Sequence, residues 1–151
     1  METMTKTIRL PVGLVRLAEA RAAELGLAFN DIVEKAMTTH FDLPHNPSFD
    51  VLEAVRDHLQ SQYPDRRGFP QDVTLEVFHH IQADEHLRSL YDAATTDEDG
   101  QAVDSLRGSL HRRIGRSVKA VLGAKVVGRS LPLDPEKDLI SSHALLEPQD
   151  S

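Results

Sequence analysis

The first ten residues show a two-residue alternation of polar and apolar positions. Residues 5–10 read Thr-Lys-Thr-Ile-Arg-Leu. In an extended strand Thr5, Thr7 and Arg9 share one face, while Ile8 and Leu10 lie on the other. The pattern therefore predicts a short strand that is polar on one side and apolar on the other.

A helical period follows the strand. Pro11 has no N–H to donate to a ladder, and its fixed φ suits the first position of a helix. One apolar stripe, which predicts a first helix, comprises Leu14, Leu17, Ala18, Ala22 and Leu25. Gly26 is the expected left-handed stop, and Asn30 is the expected N-cap of a second helix. The stripe of that second helix comprises Ile32, Val33, Ala36, Met37 and Phe41.

This strand, turn and helix pair over residues 5–41 resembles the ribbon-helix-helix family of bacterial and phage regulators, the MetJ and Arc class. The resemblance implies that Thr5, Thr7 and Arg9 face DNA bases in the major groove. It also implies that the backbone around Asn30, at the start of the second helix, anchors a phosphate. We further expect Asp31 to help Asn30 position these helix N–H groups and Lys6 to contribute at the groove edge. Arginine can form two hydrogen bonds to guanine, and helix-terminal N–H groups suit an anion.

A single strand followed by helices leaves its backbone polar groups without an internal partner. Those groups require a second chain, and pairing of two identical strands about a twofold axis is the simplest solution. A homodimer is therefore part of the predicted fold.

Composition narrows the class of protein. The chain has 151 residues, no cysteine and 40% apolar residues, which permits a packed core without disulfides. No apolar run reaches the length of a membrane span and no signal-peptide core opens the sequence, so a cytoplasmic protein without a membrane partner is expected. The net charge is −7, but residues 1–48 are nearly balanced, with five Lys and Arg against six Asp and Glu. Recognition of DNA would thus depend on the ribbon more than on general attraction to phosphate.

The predicted organisation is mainly α-helical, with a ribbon-helix-helix domain over residues 1–43 and a linker over 44–48. Apolar residues then recur at helical spacing, which predicts an α-helical C-terminal domain over residues 49–147. Within it, residues 126–129 are a candidate short strand, and Leu139 and Ile140 are expected in a last helical turn. Residues 148–151 are expected to be a frayed tail.

Charges are segregated along the C-terminal part. Residues 105–133 contain no acidic residue, and Arg112, Arg116 and Lys119 fall opposite an apolar helical stripe. One interpretation is a second contact with nucleic acid. The other is that this basic face pairs with the preceding acidic block, which comprises Asp84, Glu85, Asp92, Asp97, Glu98, Asp99 and Asp104.

The sequence gives little support for a metal site or a catalytic site. His79, His80 and His86 lie near Glu76 and Asp84, but no thiolate and no compact ligand spacing accompany them. No phosphate-binding glycine loop or nucleophile motif is present either. We expect no metal, no cofactor and no enzymatic activity.

The pattern thus predicts a homodimeric, sequence-specific transcriptional regulator, a repressor, that binds a palindromic or repeated operator. Residues 49–147 would add dimer or tetramer contacts or receive a protein partner. Three alternatives stay open: an antitoxin that also binds its operator, a plasmid or phage DNA-processing accessory protein, and an adaptor that binds only proteins.

Overall fold

The computed structural model describes residues 2–44 and 46–149, and its regular structure is mainly α-helical, as the periodicity predicts. Within these residues no helix is both long and apolar enough to cross a bilayer. The elements, in chain order, are α1 (Val12–Leu25), α2 (Phe29–His40), α3 (Pro47–Gln62), α4 (Val73–Ala83), α5 (Glu85–Thr95), α6 (Asp104–Leu122), β1 (Ala124–Arg129) and β2 (Ala144–Pro148).

The core lies where α3 packs against α5 and α6, with α4 alongside α5. Each helix contributes the apolar stripe expected from its 3.6-residue period. Fully buried members of this core include Leu52, Val55, Leu59, Phe78, Ile81, Leu110, Ile114 and Val118.

The C-terminal module is mainly helical and also contains a two-stranded sheet: the candidate strand at residues 126–129 is confirmed as part of β1, whereas β2 was not predicted. β1 and β2 pair antiparallel from Ala124 opposite Pro148 to Arg129 opposite Ala144, with an irregularity between Val126 and Gly128. The two strands are joined by a long connection, and no local pattern encodes their pairing. The predicted helical turn at residues 139–140 is absent, and Ile140 is buried against the core without being helical.

The chain end is also better ordered than expected. Pro148, assigned from the sequence to a frayed tail, is the last residue of β2, and Gln149 Nε2 donates to the Ala124 carbonyl at 3.4 Å. Residues 150–151 of that predicted tail lie outside the described residues.

The predicted starts of the two N-terminal helices are shifted by one or two residues. Pro11 is the N-cap of α1, with φ −56° and ψ 138°, and not its first helical residue. Asn30 is not a cap either, because α2 begins at Phe29 with Ala28 as N-cap. The Asp31 carboxylate accepts the Ala28 N–H at 2.9 Å, so a residue inside the helix reaches back to the backbone donor of the N-cap residue.

The linker predicted over residues 44–48 is shorter than expected. α3 begins at Pro47, and the Asn46 side chain caps it by accepting the Ser48 N–H at 3.0 Å. Residue 45 lies outside the described residues.

The N-terminal helices dock onto α6 of the C-terminal module. Gly26 ends α1 with φ +69°, and a Cβ there would lie 2.7 Å from the Ser117 backbone nitrogen. Asp31 at the start of α2 forms an ion pair with Arg113 at 3.5 Å. The backbone of α1 therefore approaches α6 so closely that only a glycine fits at the contact.

Candidate functional site

The N-terminal segment carries the residues predicted to read DNA. Within the described chain, residues 2–10 form no regular secondary structure and make no backbone–backbone hydrogen bond. Thr5, Lys6, Thr7 and Arg9 are all exposed. The strand predicted over residues 5–10 is therefore not formed within one copy, because the segment has no backbone partner there, and its side chains are exposed.

A contiguous part of the sequence leaves apolar side chains in solvent. We call this set the N-terminal apolar surface: Met4, Ile8, Leu10, Val12, Leu14, Leu17, Met37, Phe41 and Leu43. Leu17 is 71% exposed and Phe41 is 61% exposed, although both belong to the apolar stripes of their helices. α2 has no buried residue, and α1 buries only Ala22 and Leu25. The stripes are therefore covered only where α1 reaches the C-terminal module.

The two residues predicted at a DNA phosphate have different surroundings. Asn30 is exposed in the first turn of α2 and lines an apolar groove of about 400 Å³ with Met37 and Phe41. Asp31 is engaged within the chain, because its carboxylate meets the Ala28 N–H and Arg113. Its own N–H donates to the Ala28 carbonyl at 3.1 Å. Of this pair, Asn30 is the one that remains accessible.

The basic residues of α6 line a second surface. Arg112, Arg116 and Lys119 are exposed along a cleft between α6, β1 and residues 135–146, where Arg107 and Arg129 join them. We call this the basic cleft. Among the described residues, Arg112, Arg116 and Lys119 have no carboxylate within 4.0 Å, and Arg88 is the only basic partner of the acidic block, bound to Asp92 at 3.1 Å. The interpretation that the basic face pairs with that block is therefore wrong.

The histidines considered for a metal are directed to separate partners. His79 Nε2 lies 2.8 Å from Asp138 Oδ1, and the His80 ring stacks on His58 with centroids 3.9 Å apart. Burial, with the neighbouring His80 ring, lowers the pKa of His58. In the part of the chain that the structure describes, no three histidine or carboxylate side chains gather as a metal would require.

The basic cleft also contains residues that the sequence pattern did not single out. Gly108 and Gly115 are seven residues apart, two helical turns, so both face the cleft. That spacing was the only signal available, and it matches no phosphate-binding loop. The opposite wall, around Ser142 and His143, comes from the connection between the strands and has no motif at all.

Comparison with protein-family models, with curated proteins and with solved structures finds no match to this chain.

Proposed function

We propose that this chain is a homodimeric, sequence-specific DNA-binding repressor whose two N-terminal segments pair as an antiparallel ribbon. The observation that carries the proposal is the N-terminal apolar surface, which one copy leaves uncovered. Apolar patches of this kind mark interaction surfaces in soluble proteins. Burying a side chain such as Leu17 or Phe41 against a second copy would contribute about 1.5 to 3 kcal/mol each.

The same second copy would satisfy the backbone of residues 2–10. Within the described chain these N–H and C=O groups have no backbone partner. An identical segment related by a twofold axis would pair with them along their length. Ile8 and Leu10 would then face the helices, as the alternation predicts.

The ribbon's other face would carry Thr5, Thr7 and Arg9 toward the major groove. Arginine is the side chain best suited to guanine, and threonine offers a hydroxyl and a methyl group to base edges. Because residues 1–48 are almost neutral, these few side chains would supply most of the discrimination between operator and other DNA.

The packed core formed by α3 to β2 argues against the antitoxin alternative. A toxin-binding tail that folds only on its partner has too little apolar content to form a core alone. Here Val55, Phe78 and Ile114 are completely buried within the chain. The repressor proposal therefore fits the C-terminal module better.

The DNA-binding test measures fluorescence anisotropy of a duplex from the gene's own upstream region and of a shuffled duplex, across a salt series. Arg9→Ala should weaken operator binding by about 1 to 3 kcal/mol and reduce the preference over shuffled DNA. Arg16→Ala removes the same charge from exposed α1 and serves as the matched control. Wild-type affinity and preference in Arg9→Ala would refute the ribbon assignment.

The dimer test uses sedimentation velocity. Leu17→Asp should shift the protein from dimer to monomer, since it would place a charge in a buried interface. Leu131→Asp is the control, because Leu131 is 85% exposed in the loop after β1, away from the N-terminal apolar surface. A monomeric wild-type protein, or a dimer indifferent to Leu17→Asp, would exclude this arrangement.

A further inference from the structure

The basic cleft has the size of a ligand site. It measures about 990 Å³ and lies between α6, β1 and residues 135–146. Small-molecule sites are commonly concave and range from about 300 to 1,000 Å³. Apolar atoms of Val126, Leu139 and Ile140 form part of the lining, so the cleft is not lined by charge alone.

Glycines keep the floor of the cleft open. A Cβ on Gly115 would meet nothing within 4 Å, and one on Gly108 would meet only the flexible end of Arg112, at 3.4 Å. Glycine inside a helix is less favourable than alanine, and no tight packing in this structure requires either residue. The absence of side chains leaves room directly beside the cationic groups.

The charge of the lining is opposite to that of the chain. Five permanently basic residues line the cleft, against two acidic ones: Arg107, Arg112, Arg116, Lys119 and Arg129 with Asp104 and Asp138. The whole chain has a net charge of −7. A concentration of one sign inside a concave surface attracts ions of the other sign.

The cations of the cleft are not neutralised within the described residues. Arg107 and Arg129 donate to uncharged oxygens, the Leu139 carbonyl at 2.5 Å and Ser142 Oγ at 3.2 Å. Asp138 is already bonded to His79 at 2.8 Å. Arg112, Arg116 and Lys119 have no acidic partner, so their guanidinium and ammonium donors are available to a ligand.

His111 lines the cleft, next to the buried hydroxyl of Tyr91. The Tyr91 hydroxyl and His111 Nε2 lie 2.6 Å apart. Burial, with the nearby Arg107 charge, lowers the pKa of His111 to about 4. His111 is therefore uncharged near neutral pH, and attraction of an anion rests on the arginines and the lysine.

We propose that the basic cleft binds a small organic polyanion that carries two or more linked phosphate groups. The phosphates would lie along Arg112, Arg116 and Lys119, a row about 10 Å long at the helical rise of 1.5 Å per residue. Guanidinium groups bind phosphate oxygens through paired hydrogen bonds. The uncharged part of the ligand would occupy the glycine floor beside Val126 and Leu139. A duplex backbone, being convex, would reach the rim of the cleft and not its floor.

Calorimetric titration of the full-length protein at near-physiological salt tests this proposal, with tripolyphosphate, ATP and inorganic phosphate as probes. Tripolyphosphate and ATP should each bind once per chain, and inorganic phosphate should bind at least about tenfold more weakly because it reaches fewer cations. No detectable binding of either polyphosphate at millimolar concentration would overturn the proposal.

Variants locate the site. Arg112→Gln with Arg116→Gln should weaken tripolyphosphate binding by about tenfold or more, whereas Arg66→Gln with Arg67→Gln, an exposed pair outside the cleft, should not. Gly115→Met should block ATP by filling the floor of the cleft. Equal effects of the two double variants would place the anion elsewhere and overturn the proposal.

A random duplex titrated against the same variants separates the two sources of phosphate. If the cleft variants weakened duplex binding while the wild-type protein failed to bind tripolyphosphate, the surface would be a DNA contact and the small-ligand proposal would be wrong. Arg9→Ala should leave tripolyphosphate binding unchanged. Failure of the ribbon proposal is therefore distinguishable from failure of this one.

Discussion

Replacing Gly26 by alanine tests the contact between α1 and α6. Gly26 and Gly123 both end a helix in the left-handed conformation, with φ +69° and +57°. A Cβ on Gly123 would meet only Arg66 side-chain atoms, the nearest at 3.7 Å, whereas one on Gly26 would lie 2.7 Å from Ser117 N and 2.9 Å from the Arg116 carbonyl carbon. The two glycines thus share a backbone conformation and differ in the space around them.

The difference in surroundings sets the expected magnitudes. The left-handed conformation costs a residue with a Cβ about 1 to 2 kcal/mol, and Gly123→Ala should lose this amount of unfolding free energy. Gly26→Ala should lose the same plus about 1 to 3 kcal/mol, because the clashing atoms belong to the backbone of α6 and cannot rotate away. The excess measures how firmly α1 is held on α6.

Urea unfolding followed by far-UV circular dichroism gives both values. The variants must be compared at one protein concentration, since the stability of the proposed dimer would depend on it. With a urea m-value of about 2 kcal/mol/M, an excess of about 2 kcal/mol lowers the midpoint of Gly26→Ala by about 1 M relative to Gly123→Ala. Equal midpoints would refute the close approach of Gly26 to Ser117.

Three further predictions concern single side chains. Gly115→Ala should raise the free energy of unfolding by about 0.5 to 1 kcal/mol in the same urea assay, as helix propensity requires, and a loss would show that the Cβ meets a neighbour. Lowering the pH from 6.5 toward 4 should destabilise the protein, because the unfolded state protonates His111 before the folded state does. In thermal melts, His111→Gln should reduce the dependence of the melting temperature on pH. An unchanged dependence would contradict the lowered pKa of His111. Asp31→Ala should lower the free energy of unfolding by about 1 to 2 kcal/mol, because it removes the hydrogen bond from the Ala28 N–H and the ion pair with Arg113. Asp31→Asn should keep the hydrogen bond to the Ala28 N–H and lose less. Equal losses in the two variants would argue against that hydrogen bond.

Periodicity predicts the helices of this chain because each helix buries a stripe that local sequence encodes. Helix boundaries are harder to predict from sequence. Asn30 is a typical N-cap residue, but α2 begins before it, and Asp31 accepts the Ala28 N–H from within the helix. The pairing of β1 with β2 was not predictable, since it joins Ala124 to Pro148 across a connection without a turn motif. Exposure of the N-terminal apolar surface was not predictable either, because the stripes specify apolar faces and not which chain covers them.

The candidate sites were also only partly predictable from the sequence. Alternation places Thr5, Thr7 and Arg9 on one side, and a resemblance supplies their proposed role. Helical spacing also groups Arg112, Arg116 and Lys119, but their place in a cleft depends on residues 135–146 folding back beside α6. The packing of residues 135–146 beside α6 is a long-range contact, and neither the charges nor the periodicity of α6 predict it.

Two faces of α6 have different surroundings. On one side Gly108 and Gly115 open into the cleft, and on the other Ser117 lies under Gly26 with no room for a methyl group. The same helix therefore supplies the floor of the basic cleft and the backbone surface against which the end of α1 packs.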